Sequence, residues 1–483
     1  MKPTNLLVLM SDEHSRRVLG CYGHSMIRTP YLDGLAQRGV RFSDAYCNAP
    51  ICVPSRASFA TGRYINEIGF WDNAIPYDGS VPSWGHRLIA DGHRSVSIGK
   101  LHYRSTEDDN GFDEEIMPLH VVDGVGDLLG LIRDDLPVRA AALKLADEAG
   151  PGDSSYQRYD DDITAAAQNW LRREAPKHRD KPWVLFVSLV CPHFPLKSRE
   201  AFYRLYPEHE VPSPTMYSPG ERPDHPYIAA MRRCMVYDQA FDEAKVRRAL
   251  AAYFGMVTFL DDNVGKILST LDETGLVRDT RVIYTSDHGD NLGSRGLWGK
   301  STMYEESAGV PLIMAGPDIS PGMVCREPVS LVDCFPTILE AAGVPPHPDD
   351  HNLPGHSLFD LARGSAPRRT VLCEYHAAGG VTGAFMIRHG PFKFVHYVGM
   401  PPMLFDLDRD PEERNDLATD PGYAGLIRDC LAQLRRIVDP EAVDRRARAD
   451  QAARIAQFGG REAILARGSF GYSPIPGEKA LYG

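Results

Sequence analysis

A cysteine followed two residues later by a proline stands where the chain enters a short helical stretch. Pro54 suits the first turn of a helix, residues 57–61 can continue it, and Gly62 can end it. Cys52 is therefore expected at or near a helix N-terminus, where free N–H groups and the dipole favour anions. Arg56, one turn on, can pair with an anionic group there. The plainer interpretation is a buried cysteine at a strand-to-helix turn.

Four predicted strands are followed by polar side chains. In chain order, residues 6–10 lead to Asp12, residues 95–99 to Lys100 and His102, residues 183–190 to His193, and residues 281–286 to Asp287 and His288. In open α/β sheets, ligands bind beyond the carboxyl ends of the strands. We therefore expect these side chains to meet at one edge of a sheet and to form an active site.

Asp12, Asp287 and His288 form a candidate metal-binding set together with Cys52. Carboxylate oxygens suit hard divalent cations such as Ca²⁺, Mg²⁺ or Mn²⁺, and an imidazole shifts the preference toward Mn²⁺. The chain has no further His or Cys at ligand spacing to favour a dedicated zinc site. Each acid alone could instead cap a strand end, so the prediction of one divalent ion, Ca²⁺ or Mn²⁺, depends on their occurring together.

The order of elements predicts an α/β fold with a mostly parallel sheet and helices on both faces. Beyond residue 369 the pattern changes to short strands, which indicates a small antiparallel sheet followed by a helix at about residues 424–438. The stretch 108–153 is interpreted as an insertion over the sheet edge. We predict a catalytic domain over 1–368, an antiparallel-sheet subdomain over 369–438, and a C-terminal tail over 439–483.

Composition limits the classes of partner. The formal net charge is −12, which argues against a general nucleic-acid binder. Nine scattered cysteines fit reduced thiols better than a disulfide framework. The apolar run at residues 5–10 is short for a secretory signal, and no run has transmembrane length. We expect a cytoplasmic protein without a membrane partner, whose tail lies at the interface of a dimer or tetramer.

Five segments carry a more specific pattern. They are Cys52-Val53-Pro54-Ser55-Arg56 with Thr61-Gly62, Gly99-Lys100-Leu101-His102, Pro192-His193-Phe194-Pro195, Ser286-Asp287-His288-Gly289-Asp290, and Gly296-Leu297-Trp298-Gly299-Lys300. Together they resemble the formylglycine-dependent sulfatases of the alkaline-phosphatase-like superfamily. Many members have a second Asp where Glu13 stands and Asn where His288 stands. The combination present here resembles the choline-sulfatase and phosphonate monoester hydrolase branches.

The resemblance implies a hydrolase of sulfate monoesters. A formylglycine-generating maturase would oxidise Cys52, and the hydrate of the product would be the nucleophile. Its oxygen would share the metal with Asp12, Asp287 and His288. Glu13 is interpreted as a residue behind these ligands, and direct binding of Glu13 to the metal is left as the alternative.

The resemblance also implies roles for five cationic or imidazole side chains. Arg56, Lys100, His193 and Lys300 would hold the sulfuryl oxygens and stabilise developing charge. Lys300 and His193 are the candidates for assisting the leaving group. His102 would be the base when the sulfate departs.

Three points remain open from the sequence. Asn73, in a segment that resembles the choline-sulfatase branch, is either a substrate-site residue or a turn residue. A phosphonate monoester or phosphodiester hydrolase would use the same residues. A catalytically silent binding protein with this fold is the third interpretation, and the intact Cys52-to-Arg56 segment argues against it.

Overall fold

The computed structural model describes residues 2–366 and 369–482, so the predicted domain boundary at residue 368 lies outside the described residues. The strands of the described chain are β1 (Asn5–Asp12), β2 (Gly39–Phe42), β3 (Ala45–Tyr46), β4 (Arg94–Lys100), β5 (Glu114–Leu119), β6 (Gly150–Pro151), β7 (Trp183–Pro192), β8 (Lys197–Ser198), β9 (Thr280–Ser286), β10 (Leu312–Ala315), β11 (Met323–Cys325), β12 (Val329–Ser330), β13 (Val371–Tyr375), β14 (Ala384–His389), β15 (Phe392–Tyr397) and β16 (Met403–Asp406).

The α-helices of the same residues are α1 (Pro30–Gln37), α2 (Cys52–Thr61), α3 (Ile65–Ile68), α4 (Trp84–Ala90), α5 (Ala141–Glu148), α6 (Ser155–Arg173), α7 (Glu200–Tyr203), α8 (Pro226–Met235), α9 (Tyr237–Ala240), α10 (Glu243–Glu273), α11 (Glu305–Ala308), α12 (Cys334–Ala342), α13 (Leu358–Ala362), α14 (Ala424–Ile437), α15 (Pro440–Gln457) and α16 (Arg461–Arg467). Across the described chain, none of these helices is both long enough and apolar enough to span a bilayer.

An eight-stranded sheet forms the centre of the protein, in the order β11-β2-β10-β9-β1-β7-β4-β5. Strand β10 runs antiparallel to both neighbours, and the other pairs are parallel. The predicted α/β fold with a mostly parallel sheet is confirmed. One element differs from the prediction: β5 lies within the stretch 108–153 that was interpreted as an insertion, and it extends the sheet as an edge strand.

Strand β1 is central because both of its faces are covered. Leu6, Val8 and Met10 pack into one core, while Leu7 and Leu9 pack into a second core on the opposite face. Helix α12 contributes to the first core, and α6 and α10 contribute to the second. A strand that is buried on both faces has a continuous run of apolar residues in its sequence, as β1 has over residues 6–10. The same burial excludes water from the strand's final residue, Asp12.

The C-terminal strands β13 to β16 form the predicted four-stranded antiparallel sheet, and α14 packs on it through Cys430 and Leu434. Beyond it, the predicted tail contains two helices, α15 and α16, rather than an unsupported segment. Ala447 of α15 joins the same core as β1. Helix α15 was hard to recognise because it buries few apolar residues. The tail packs against its own chain, and its predicted place at a subunit interface remains a prediction.

Candidate active site

Helix α2 begins at Cys52, and every residue of this helix is buried. Ile51 before it is extended, and Gly62 after it adopts a left-handed conformation that ends the helix. Cys52 Sγ lies 3.2 Å from His288 Nε2 and 3.8 Å from Asp12 Oδ1. The helix start therefore faces the carboxyl ends of β1 and β9, as the sequence predicts.

The guanidinium of Arg56 joins two buried acids. Its Nε donates to Asp287 Oδ2 at 2.8 Å, and one terminal nitrogen donates to Asp12 Oδ2 at 3.1 Å. The other terminal nitrogen donates to the Lys100 carbonyl and to Ser188 Oγ. Arg56 was expected to hold sulfuryl oxygens. In the structure its donors are directed at the two acids, whose orientation it fixes, and a contact with the sulfuryl oxygens remains a prediction.

Asp12, Cys52, Asp287 and His288 each offer one donor atom, and these four atoms lie within 4.8 Å of one another. His288 Nδ1 lies 3.0 Å from the carbonyl of Gly289, so a proton on Nδ1 leaves the Nε2 lone pair directed at the acids. His288 Nε2 lies 3.7 Å from both Asp12 Oδ1 and Asp287 Oδ1. Two carboxylates and an imidazole fit a divalent cation of the Ca²⁺ or Mn²⁺ type.

Lys100 adds a cation to the same acids, with its Nζ 2.5 Å from Asp12 Oδ2. Burial alone would raise the pKa of Asp12, but the charges of the nearby cations, Lys100 first and then Arg56, outweigh it and hold that pKa well below its usual range. Gly99 precedes Lys100 with φ +96, and a Cβ there would lie 2.3 Å from the Ser188 carbonyl. Glycine is therefore required where β4 passes β7.

Lys300 and His193 form a pair on the other side of Cys52. Lys300 Nζ lies 2.8 Å from His193 Nε2 and 3.3 Å from Cys52 Sγ. His193 Nδ1 lies 2.8 Å from the carbonyl of Phe194, which leaves Nε2 to accept from Lys300. Burial and the charge of Lys300 hold the pKa of His193 well below its usual range. The pair therefore consists of an ammonium and a neutral imidazole.

Glu13 is not one of the four converging donors, although one of its carboxylate oxygens lies within 4.8 Å of donor atoms of Asp12 and His193. Its backbone has φ +66, and its Oε2 lies 3.3 Å from both Lys300 Nζ and His193 Nε2. A positive φ is uncommon for a residue with a side chain. Here the turn at Glu13 lets Asp12 face Cys52 while the Glu13 carboxylate faces Lys300 and His193. Glu13 can therefore hold the Lys300–His193 pair in place, while Asp12 faces Cys52.

His102 is 6% exposed and also has a positive φ, +59. Burial first and the neighbouring Lys100 second hold the pKa of His102 well below its usual range, so its ring is neutral near pH 7. Nε2 lies 2.9 Å from the hydroxyl of Ser473, in the segment after α16. Nδ1 is buried and has no hydrogen-bond partner among the described residues.

Asn73 lies beside the start of α2. Its Oδ1 accepts the backbone N–H of Val53 at 3.1 Å, next to Cys52 in sequence. Its carbonyl accepts the N–H of Asp127 at 3.3 Å. The side chain therefore supports the N-terminal turn of the helix. A contact with substrate remains a prediction.

Two site residues were not anticipated from the sequence. Ser188, in the second half of β7, lies beside Arg56, and its polar side chain within an otherwise apolar strand was the available signal. Ser473 lies 371 residues from His102 along the chain, and no motif surrounds it.

Comparison with known proteins identifies the family. The sulfatase family profile matches residues 4–344, and the profile named N-sulphoglucosamine sulphohydrolase, C-terminal, matches residues 293–439. The chain belongs to the sulfatase family. The first match covers most of the residues that build the site described above, and the predicted sulfatase activity class, a hydrolase of sulfuric esters, is confirmed. Membership implies a metal ion and a formylglycine at the active site.

Individual relatives agree with this assignment. A choline-sulfatase of Rhizobium meliloti is 32% identical over 86% of this chain and 83% of its own length. Arylsulfatase K of Homo sapiens is 29% identical over 86% of this chain and 79% of its own length. The crystal structure of a phosphonate monoester hydrolase of Agrobacterium radiobacter superposes with a TM-score of 0.72 over 93% of this chain and 96% of its own, at 22% identity. That last similarity concerns the fold alone.

Proposed function

We propose that this sulfatase hydrolyses sulfate monoesters of phenols or small alcohols at position 52. The observation that carries the proposal is the position of Cys52 Sγ between three metal-ligating side chains and Lys300, which lies 3.3 Å away. A nucleophile placed there has anion-binding groups on both sides. The charge of a sulfuryl group requires such an environment.

A formylglycine produced from Cys52 would share one divalent ion, Ca²⁺ or Mn²⁺, with Asp12, Asp287 and His288. When bound, the ion supplies positive charge that favours the ionised nucleophile and the developing charge on the sulfuryl group. Arg56 acts on this site through Asp12 and Asp287, whose carboxylates it orients. Asp287 is held further by the backbone N–H groups of Glu13 and His288, which donate to its Oδ1.

Lys300 and His193 act on the sulfuryl oxygens and on the leaving alcohol. When the bond between sulfur and the ester oxygen breaks, the alkoxide or phenoxide takes a proton from the Lys300–His193 pair. The ammonium of Lys300 is the proton-bearing member, since burial and Lys300 keep the His193 imidazole neutral. Lys100 adds a second cation for the sulfuryl oxygens and for Asp12.

His102 serves the second half of the reaction. A neutral imidazole can accept a proton from a hydroxyl group at position 52 as the sulfate leaves. The low pKa of His102 follows from its burial and from Lys100, and it keeps the base form populated near neutral pH. Of its two ring nitrogens, Nδ1 is the one without a protein partner in the described residues.

The substrate alcohol is proposed to be small. Lys300 and His193 have side chains only 12% and 6% exposed, so the site leaves little open surface beside the leaving group. The 32% identical relative is named a choline-sulfatase, which supports a small alkyl sulfate as one substrate. Asn73, whose side chain lies beside the start of α2, is proposed to line the substrate site.

The remaining expectations about partners and compartment are proposals as well. We infer that a formylglycine-generating maturase converts Cys52 before the enzyme is active. All nine cysteines are free in the structure, which supports a reducing compartment such as the cytoplasm. A homo-oligomer, dimer or tetramer, is also proposed.

The proposal is tested by comparing the wild type with Cys52→Ala on an aryl sulfate such as 4-nitrophenyl sulfate. The variant should lose all turnover and keep its fold, because the nucleophile is removed while little core volume is lost. Circular dichroism and thermal unfolding of both proteins provide the control for folding. Substantial activity of the purified variant would refute a nucleophile derived from Cys52.

A further inference from the structure

The segment after α16 returns to the active site. Ser473 is only 7% exposed, whereas its neighbour Tyr472 is 37% exposed. This burial comes from the catalytic part of the chain, since Ser473 contacts His102 and Tyr156. The segment lies beyond residue 439, where the family match ends. Its contribution to the site therefore comes from residues outside both matched profiles.

Two hydrogen bonds fix Ser473. The hydroxyl of Tyr156 donates to the Ser473 carbonyl at 2.6 Å, and the Ser473 hydroxyl lies 2.9 Å from His102 Nε2. The ring of Tyr156 also meets the rings of Tyr472 and His193 edge-on, with centroids 5.1 Å and 5.8 Å apart. Tyr156 thus connects the surroundings of the two histidines that the reaction uses.

We propose that Ser473 is a positioning residue for His102. Its hydroxyl holds the imidazole through Nε2, so that Nδ1, the nitrogen without a protein partner in the described residues, stays available for proton transfer. The inference rests on the proposed role of His102 as the base in the second half of the reaction.

The local structure explains why such a partner is needed. The left-handed backbone of His102 is held by its own N–H, which donates to the Leu119 carbonyl at 2.8 Å. That bond fixes the main chain and leaves the rotation of the ring undetermined. The terminal torsion of histidine is broad and nearly two-fold, so a hydrogen bond to one nitrogen selects the orientation of the other. Within the described residues, Ser473 is the side chain that makes this bond.

A purely packing role for Ser473 makes a different prediction. Alanine would fill the same space as serine, and the tail would stay in place through Tyr156 and Tyr472. A positioning role instead predicts that kcat and KM fall together while kcat/KM stays unchanged, because only the step after alcohol release is slowed. It also predicts a pre-steady-state burst of 4-nitrophenol, since the alcohol leaves before His102 acts.

The experiment compares Ser473→Ala, Ser473→Thr and Ser469→Ala in the full chain, each with Cys52 conversion checked by mass spectrometry. Ser469 lies in the same segment, and its side chain forms no hydrogen bond among the described residues, so it is the matched control. Ser473→Ala should lower kcat about 10-fold, the size expected for one lost hydrogen bond at a reacting group. Ser473→Thr keeps the hydroxyl and should recover most of the rate.

A double-mutant cycle with His102→Ala completes the test. Ser473→Ala should have no further effect once His102 is removed, because the two residues act as one unit. An unchanged kcat in Ser473→Ala, equal losses in the Ala and Thr variants, or independent losses in the double mutant would overturn the positioning role alone. A normal rate in His102→Ala would overturn the proposed base and the positioning role together.

Discussion

The ammonium group of Lys300 and the imidazole of His193 lie 2.8 Å apart, between Nζ and Nε2. Both side chains are nearly enclosed, and Glu13 Oε2 lies 3.3 Å from each of these nitrogens. A charged donor held this close to position 52 can assist departure of the alcohol. The same pair therefore provides the most direct test of how the leaving group is handled.

Replacing Lys300 by alanine should reduce kcat by about 10²- to 10³-fold, as loss of one charge-stabilising donor typically does. The loss should grow as the alcohol becomes less acidic, because a poor leaving group depends more on protonation. Steady-state rates for a series of substituted aryl sulfates measure both effects. Lys266→Ala, at a lysine with a side chain 45% exposed on α10, is the control. A rate near that of the wild type would exclude Lys300 from the reaction.

Arg56→Lys should weaken metal binding about 10- to 100-fold, the usual effect of changing a residue that orients metal ligands. A lysine has one ammonium and cannot reproduce the separate contacts of the guanidinium with Asp12 and Asp287. Metal content after dialysis and the metal concentration needed for half-maximal activity are the measurements.

Arg133→Lys is the matched control for this change. Arg133 is also buried and bound to an acid, Asp444, but it lies in the contact between the catalytic part and α15. The Arg133→Lys substitution should lower Tm and leave the affinity for the metal unchanged. Equal metal affinity of Arg56→Lys and the wild type would contradict the orienting role of Arg56.

The stability of the fold should depend on pH through Asp261 of α10. Burial raises the pKa of Asp261 to about 7, although its carboxylate accepts the N–H groups of Tyr31 and Leu32 at the start of α1. A folded-state pKa above the unfolded value stabilises the fold at low pH. This contribution is lost between about pH 4 and pH 7, by up to about 1.4 kcal/mol per pH unit.

Urea unfolding at pH 5, 6 and 7 measures this contribution. The free energy of unfolding should fall less steeply with pH in Asp261→Asn than in the wild type. Asp262→Asn, at a neighbouring half-exposed carboxylate paired with Lys266, should keep the wild-type slope. Identical slopes for all three proteins would show that Asp261 does not titrate in this range.

The sequence was informative wherever function follows from the ends of parallel strands. Asp12, Lys100, His193 and Asp287 could be placed together because the carboxyl ends of β1, β4, β7 and β9 share one sheet edge. The antiparallel pairing of β13 to β16 could also be predicted from the sequence, since these short strands follow one another directly in the chain.

Other features depend on contacts that no local pattern encodes. Edge strand β5 carries the mixed polar pattern of a half-exposed segment, so it did not resemble the apolar central strands. Arg56 orients Asp12 and Asp287 because α2 packs so close to the ends of β1 and β9 that the guanidinium reaches both carboxylates, and the sequence does not specify this distance. Ser473 approaches His102 from the far end of the chain, and only the packing of α15 and α16 brings it there.

The central claim is that this sulfatase uses a nucleophile derived from Cys52 to cleave sulfate monoesters. The most direct measurement is kcat/KM for an aryl sulfate and an aryl phosphonate monoester on one preparation, with conversion of Cys52 to formylglycine quantified by mass spectrometry. We predict a clear preference for the sulfate ester, and a rate of sulfate hydrolysis that scales with the converted fraction. A preference for the phosphonate, or no hydrolysis of either ester by fully converted protein, would contradict this account.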